Sequence, residues 1–250
     1  MSPVDGLVET PPSPRLEECG FYHAMDLPGV GEVDWHWDLR RGMHEYLGDV
    51  DFEGKRVLEI GPASGFVTAH MEARGAEVVA VELPEHYPWD IVPYAQLDLE
   101  QIAADRLIGM RALRNGFWYA HRALGLRARL FYGSVADLPD DQGPFDVSVL
   151  AAVLLHTRDP VALLEACAAR TGESVVVVER SFPELNQIGM PLARLVPTVD
   201  NEIWHTWWSF TPSLLEQLLA VLGFGSATVS FHEQRHRSGM IPLFTVVATR

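Results

Sequence analysis

Residues 57–66, VLEIGPASGF, carry strand-forming side chains straight into Gly61, Pro62, Ala63, Ser64 and Gly65. A chain leaving a buried strand for a helix must turn sharply, and glycines at 61 and 65 allow that turn and let a ligand approach the backbone closely. Ala63 stands where the middle glycine of a dinucleotide fingerprint would meet a pyrophosphate. The next apolar run, AEVVAVEL, closes on Glu82 and Leu83, with Glu82 twenty-one residues after Gly61. That separation is close to the ~20 residues that put an acid on a ribose diol. Glu59, one residue inside the end of the first strand, adds a second carboxylate beside the loop. Two acids crowding a pyrophosphate would be costly, whereas a ligand bearing a sulfonium and an α-amino group would welcome them. The expected cofactor is therefore S-adenosylmethionine.

Positioning these groups requires alternating strands and helices. Runs at 55–60, 76–82, 128–132, 145–151, 174–179, 226–232 and 242–249 read as seven strands. Helical stretches fit at 66–74, 105–124, 159–170 and 211–222, the last opening on Thr211-Pro212, a capping residue followed by a first-turn proline. The final two strands are joined by HEQRHRSGM, with no room for a crossover helix, so they pair as a hairpin. The fold class expected is α/β, a Rossmann-like three-layer sandwich whose seven-stranded, mostly parallel sheet ends in a C-terminal antiparallel hairpin. A mobile tail over 1–20 leads into one domain over 21–250. An aromatic lid at 21–50 and inserted cap segments at 84–104 and 180–210 complete it. Long insertions after parallel strands are where open α/β sheets place their ligands.

Further along, YGSVADLP (132–139) follows the third strand and brings Ser134 and Val135 toward an adenine edge, while FDVSVLAAVLLHTRDP ends the fourth strand near Ala151. Loop, acid, third-strand turn and fourth-strand end stand in the order of a class I S-adenosylmethionine-dependent methyltransferase, which the chain resembles from Phe21 onward. More narrowly, FYHAMDLPG, WDLR, NGFWYAHRALG, VLLHTRDP and WWSFTPSLLEQLLAVLGF resemble the branch containing the tRNA wobble-uridine modifying enzymes. The resemblance implies that Gly61, Ala63, Gly65, Glu82, Ser134 and Val135 hold the cofactor. The carboxymethyl-transferring members of that branch carry a tyrosine before the histidine after the fourth strand and an arginine on the last strand. Here Leu155 and Phe244 occupy those places, which favours ordinary methyl transfer.

Methyl transfer is an in-line displacement at a carbon already activated by the sulfonium. The protein has to align the partners, exclude water and, for a hydroxyl acceptor, remove a proton. His156, just past the fourth strand, is the first candidate base, or else closes a turn. Glu179, ending VVVVE, is the second, or a plain strand-end carboxylate. FYHAMDLPG and DWHWDLRRG supply Tyr22, His23, Trp37 and Arg40, either as a lid over the cofactor or as packing of the N-terminal region on the sheet. IWHTWW supplies Trp204, His205 and Trp208, amphipathic rings that read as a pocket wall.

The 250 residues carry a formal charge of −15. That balance disfavours a phosphate backbone as partner, and the arginine run from Arg106 to Arg129 reads as a solvated helix face. The expected partner is a small molecule, with a saccharide or secondary-metabolite hydroxyl favoured; tRNA is the rival acceptor. A nicotinamide-dependent oxidoreductase and a non-catalytic adenosine-ligand binder are the rivals from other classes. Cys19 and Cys167 form no metal-ligand spacing, and no motif demands a metal, although a divalent ion assisting oxygen methylation stays open. No apolar run approaches the ~20 residues of a membrane span, and the start lacks a secretory pattern, so the expected location is the cytoplasm. Self-association stays open.

Overall fold

The structure, a computed structural model, describes residues 6–8 and 11–250. Its main sheet contains β1 (Arg56–Ile60), β2 (Glu77–Glu82), β3 (Arg129–Tyr132), β4 (Phe145–Ala151), β5 (Thr171–Arg180), β6 (Ser226–His236) and β7 (Gly239–Thr249). The strands lie in the order β3-β2-β1-β4-β5-β7-β6. The first five are parallel, and β7 runs antiparallel between β5 and β6. This is the expected α/β sandwich with its terminal hairpin. Alternation along each strand explains both layers: Leu58, Val79 and Val177 join one buried cluster with Leu164 and Leu215 from helices, while Val57, Val78 and Val176 join another with Val67 and Met71. Burying each such side chain contributes roughly 1.5–3 kcal/mol.

Four longer helices flank the sheet: α1 (Phe66–Glu72), α2 (Leu99–Leu124), α3 (Pro160–Ala168) and α4 (Pro212–Val221). Helix α2 starts six residues earlier than its apolar period suggests, because the Asp98 side chain accepts the Gln101 N–H at 3.0 Å and caps a polar first turn. At α4 the proline sits in the first turn as expected, but Thr211 makes no side-chain cap. Its hydroxyl instead donates to Met190 O and accepts from Leu192 N, tying the inserted segment to the helix start.

The sheet is wider than seven strands. Gly6–Leu7 adds antiparallel to β3, and Trp37–Asp38 adds to the outer end of β6. The hairpin strands also run further than the polar sequence implies, pairing as far as His236 with Gly239. Gln234 explains part of that: although polar it is buried, and its Nε2 donates to Gly42 O at 2.9 Å.

The described part of the expected mobile tail is bound to the domain, while residues 1–5 and 9–10 lie outside the described residues. Val8 N donates to Leu130 O, Leu16–Glu18 form a 3₁₀ turn, and Gly20 N donates to Ala112 O at 2.7 Å. The chain crosses α2 where Gly116 leaves room, since a Cβ there would lie 2.1 Å from Gly20 O. Gly116→Ala is expected to destabilise the protein by about 1–3 kcal/mol, read from the urea midpoint, because two backbones rather than flexible side chains must separate. A midpoint equal to wild type would show that the crossing yields freely. Among the described residues no helix is long and apolar enough to cross a membrane.

Candidate active site

The carboxyl ends of β1, β2, β3 and β4 form one edge. Gly61 N donates to Val81 O and Gly133 N to Glu82 O, each at 2.9 Å, so the glycine loop, the acid and the third-strand turn are stitched together. In the loop Gly61, Ala63 and Gly65 take φ of +68°, +49° and +85°. A Cβ on Gly65 would meet Phe117 of α2 at 3.1 Å, so the left-handed backbone and the close helix contact both require glycine there. Ala63 holds the same region with a side chain, a strained conformation of the kind that collects at ligand sites.

Glu59 is buried at 3% exposure and accepts the Thr68 hydroxyl at 2.5 Å. Burial pushes its carboxyl up to about 8, with a contribution from nearby Glu82. Glu82 is half-buried, its carboxyl raised by burial, and its Oε1 accepts the Leu83 N–H at 2.8 Å. Among the described residues no hydrogen bond engages its Oε2. Arg114, buried beside it, donates to Leu83 O and Pro84 O and fixes the chain after the acid. At the third-strand turn the Ser134 hydroxyl accepts the Ala136 N–H and Val135 is buried in the core, which leaves backbone as the face offered there. Ala151 ends β4, followed by Ala152 at φ +55°.

The aromatic residues of the N-terminal region pack on the loop. Tyr22 N donates to Ser64 Oγ at 3.0 Å, and the Tyr22 hydroxyl accepts the Trp37 indole N–H at 3.3 Å. His23 is buried against Phe66 with no partner for Nδ1, and burial brings it down to about 3. Arg40 does not belong with these residues. Its guanidinium contacts Asp26, Glu32 and Asp38 at 2.8–3.0 Å, a structural clamp that leaves it nothing to offer a substrate.

The inserted segments form a roof. Val92 N donates to Trp204 O, Trp207 Nε1 to Asp90 O and Trp207 N to Leu155 O, while the Asp90 carboxylate accepts Arg158 N. The His156 turn is held inside this frame. Its Nδ1 bonds to His205 O, its own carbonyl accepts the Trp89 indole N–H, and the Trp89 ring meets its edge at 4.4 Å. A carbonyl only accepts, so the imidazole proton sits on Nδ1. Burial takes this histidine down to about 3. The Arg106 guanidinium stacks on the other contact of this roof, 3.7 Å from the Trp89 ring centroid. Trp89 itself holds φ +100°, well outside the range a tryptophan favours.

Beneath the roof lies a cavity of about 470 Å³, lined in part by Leu155, Glu179, His205 and Trp208. Glu179 is 2% exposed, accepts the Leu155 N–H at Oε1 and is pushed by burial up to about 8. The two candidate bases are thus separated by environment: Glu179 lines the cavity and titrates near neutrality, whereas His156 is boxed into the roof. Trp204 stands behind His205, with their rings edge to face at 5.2 Å. Among the described residues no three His, Cys, Asp or Glu side chains are grouped so as to hold a metal ion.

Sequence reasoning missed Trp89, Arg106 and Arg114. The two arginines are eight apart with Met110 between them, an inward stripe at helical spacing inside the run taken for a solvated face.

A family model described as a methyltransferase domain matches residues 37–224. The N-terminal domain of EvdMO1, solved with SAH bound, has TM-score 0.57 and 17% identity, covering 94% of this chain and 93% of that one. The 1,6-didemethyltoxoflavin-N1-methyltransferase of Burkholderia thailandensis has TM-score 0.51 and 17% identity over 83% of this chain and 74% of that one. The ubiquinone biosynthesis O-methyltransferase of Xylella fastidiosa (strain M23) is 28% identical over 120 residues, 48% of this chain and 38% of the relative. The chain thus spans well under half the length of the curated relatives it matches. It belongs to the methyltransferase-domain family and carries the class I methyltransferase fold.

Proposed function

We propose that the protein transfers a methyl group from S-adenosylmethionine to a small-molecule acceptor, with a hydroxyl oxygen favoured. The observation that carries this is the left-handed loop at 61–65 facing a Glu82 carboxyl with one oxygen uncommitted, at the end of adjacent strands. These residues fit the cofactor: Glu82 offers Oε2 to a ribose diol, backbone at 61–65 and 133–135 offers N–H and C=O groups, and Glu59 and Glu82 supply negative potential. When bound, S-adenosylmethionine supplies an electrophilic methyl carbon. Tyr22 and the residues of the roof exclude water from the crevice. Glu179 takes the acceptor's proton, since a group near 8 in the cavity wall balances availability and basicity at neutral pH. His156, held neutral and bonded to His205 O, positions the roof.

The small-molecule reading over tRNA is supported by the arginine run. Arg106 and Arg114 turn inward and Arg129 pairs with Glu77, so half of the run is withdrawn from a phosphate backbone. The ubiquinone-pathway resemblance supports an oxygen acceptor. Incubation with methyl-labelled cofactor and either a small-metabolite extract or bulk tRNA is expected to label the metabolite fraction. Label confined to tRNA overturns the acceptor class. Calorimetry showing binding of a nicotinamide dinucleotide but not of S-adenosylhomocysteine overturns the reaction.

A further inference from the structure

Two arginines that the proposed reaction does not use lie in the wall of the 470 Å³ cavity. Arg180, the last residue of β5, places its guanidinium 5.5 Å from the Phe182 ring centroid, and Arg194 lies 4.8 Å from the same centroid. Arg194 is partly satisfied: its Nε donates to Ser209 Oγ at 3.1 Å and its Nη1 lies 3.4 Å from Glu184. Arg180 is exposed to the cavity side and, among the described residues, forms no ion pair with an acid. Trp208 packs in the same wall, its indole N–H buried without a hydrogen-bond partner. The remaining acid there, Glu179, is largely protonated at neutral pH and so does not cancel the arginines.

A protein with a net charge of −15 therefore lines its acceptor cavity with positive charge. We propose that the acceptor is acidic: a small molecule whose carboxylate or phosphate group pairs with Arg180. This rests on the methyl-transfer reading for the identity of the cavity as an acceptor site. Arg180 presents a planar donor fork at the mouth of the cavity, and Phe182, beneath both guanidiniums, keeps the two cations in place. Arg194, already shared with Glu184, tunes the field and is not the main ligand.

The test uses the full chain with benzoate, phenyl phosphate and neutral benzamide as probes, and S-adenosylhomocysteine titrated separately. Either anion is expected to bind at least tenfold more tightly than benzamide, with affinity falling as salt rises. Arg180→Gln is expected to remove at least tenfold of that affinity, and Arg180→Lys to restore part of it, while both variants keep wild-type affinity for S-adenosylhomocysteine. Preference for benzoate identifies a carboxylate and preference for phenyl phosphate a phosphate. Equal binding of benzamide, or anion binding unaffected by Arg180→Gln, overturns the proposal. If S-adenosylhomocysteine binds and neither anion does, the acidic acceptor fails and the methyl-transfer reading stands. If the anions bind through Arg180 and S-adenosylhomocysteine does not, the methyl-transfer reading fails and the anion site stands.

Discussion

Glu82→Ala is expected to weaken S-adenosylhomocysteine binding about a hundredfold while leaving the urea midpoint close to wild type. The carboxylate at the end of β2 has one oxygen engaged by Leu83 N and the other uncommitted. A ribose diol would therefore donate to a charged, half-buried acceptor, where each hydrogen bond contributes roughly 1.5–3 kcal/mol. Losing about 3 kcal/mol corresponds to about two decades in affinity. Glu82→Gln keeps an acceptor oxygen without the charge, so its loss is expected to be nearer tenfold. Because burial raises the Glu82 pKa, the carboxylate is more readily protonated than a solvated one. Cofactor affinity is accordingly expected to decline as pH falls, and that decline to vanish in Glu82→Ala. Titration calorimetry across pH measures both. Unchanged affinity in Glu82→Ala would remove the central support for an adenosyl ligand in this crevice.

The second large effect falls on Glu179. Glu179→Gln is expected to lower kcat by about a hundredfold at saturating cofactor, within the range of general base catalysis, while preserving S-adenosylhomocysteine binding. The amide oxygen of glutamine can still accept the Leu155 N–H, so the turn before His156 keeps its anchor. The pH profile separates a catalytic group from a structural one. A carboxyl raised to about 8 is protonated below that value, so a base with this pKa gives a rate that climbs about tenfold per pH unit and levels above about 8. In Glu179→Gln that limb is expected to disappear. The burial that holds His156 at about 3 predicts the complementary result: no limb near 6.5 in either enzyme. A wild-type profile breaking near 6.5 would return the base to His156.

The cofactor half of this site is local in sequence. Gly61, Ala63, Gly65 and Glu82 lie within twenty-two residues, and a buried strand, a tight turn and a second buried strand leave the backbone few alternatives. The strands β1, β2, β4, β5 and β7 were legible for the same reason, since each is an apolar run containing β-branched or aromatic residues whose alternating side chains fill two clusters. The two-residue edge strands at Gly6–Leu7 and Trp37–Asp38 have no periodicity to read, because one or two ladder contacts with a distant partner create them. Arg40 looked available in sequence because its three acidic partners are spread from Asp26 to Asp38 and only the fold gathers them.

The cavity around Glu179 was decided elsewhere. Asp90 meets Trp207 across 117 positions of chain, and His156 meets His205 across 49. These contacts build the roof, and the burial it imposes sends one candidate base up to about 8 and the other down to about 3. Residue type alone ranked His156 above Glu179, since an unperturbed histidine titrates nearest neutrality. By itself the amino-acid order determined the layered α/β frame, the glycine turn after β1 and the acid closing β2, because local backbone preference and strand alternation act over a few residues. Which side chains line the cavity beside Glu179, and which of the two candidate bases burial raises and which it lowers, was decided only by tertiary packing, because desolvation depends on what the rest of the chain brings alongside.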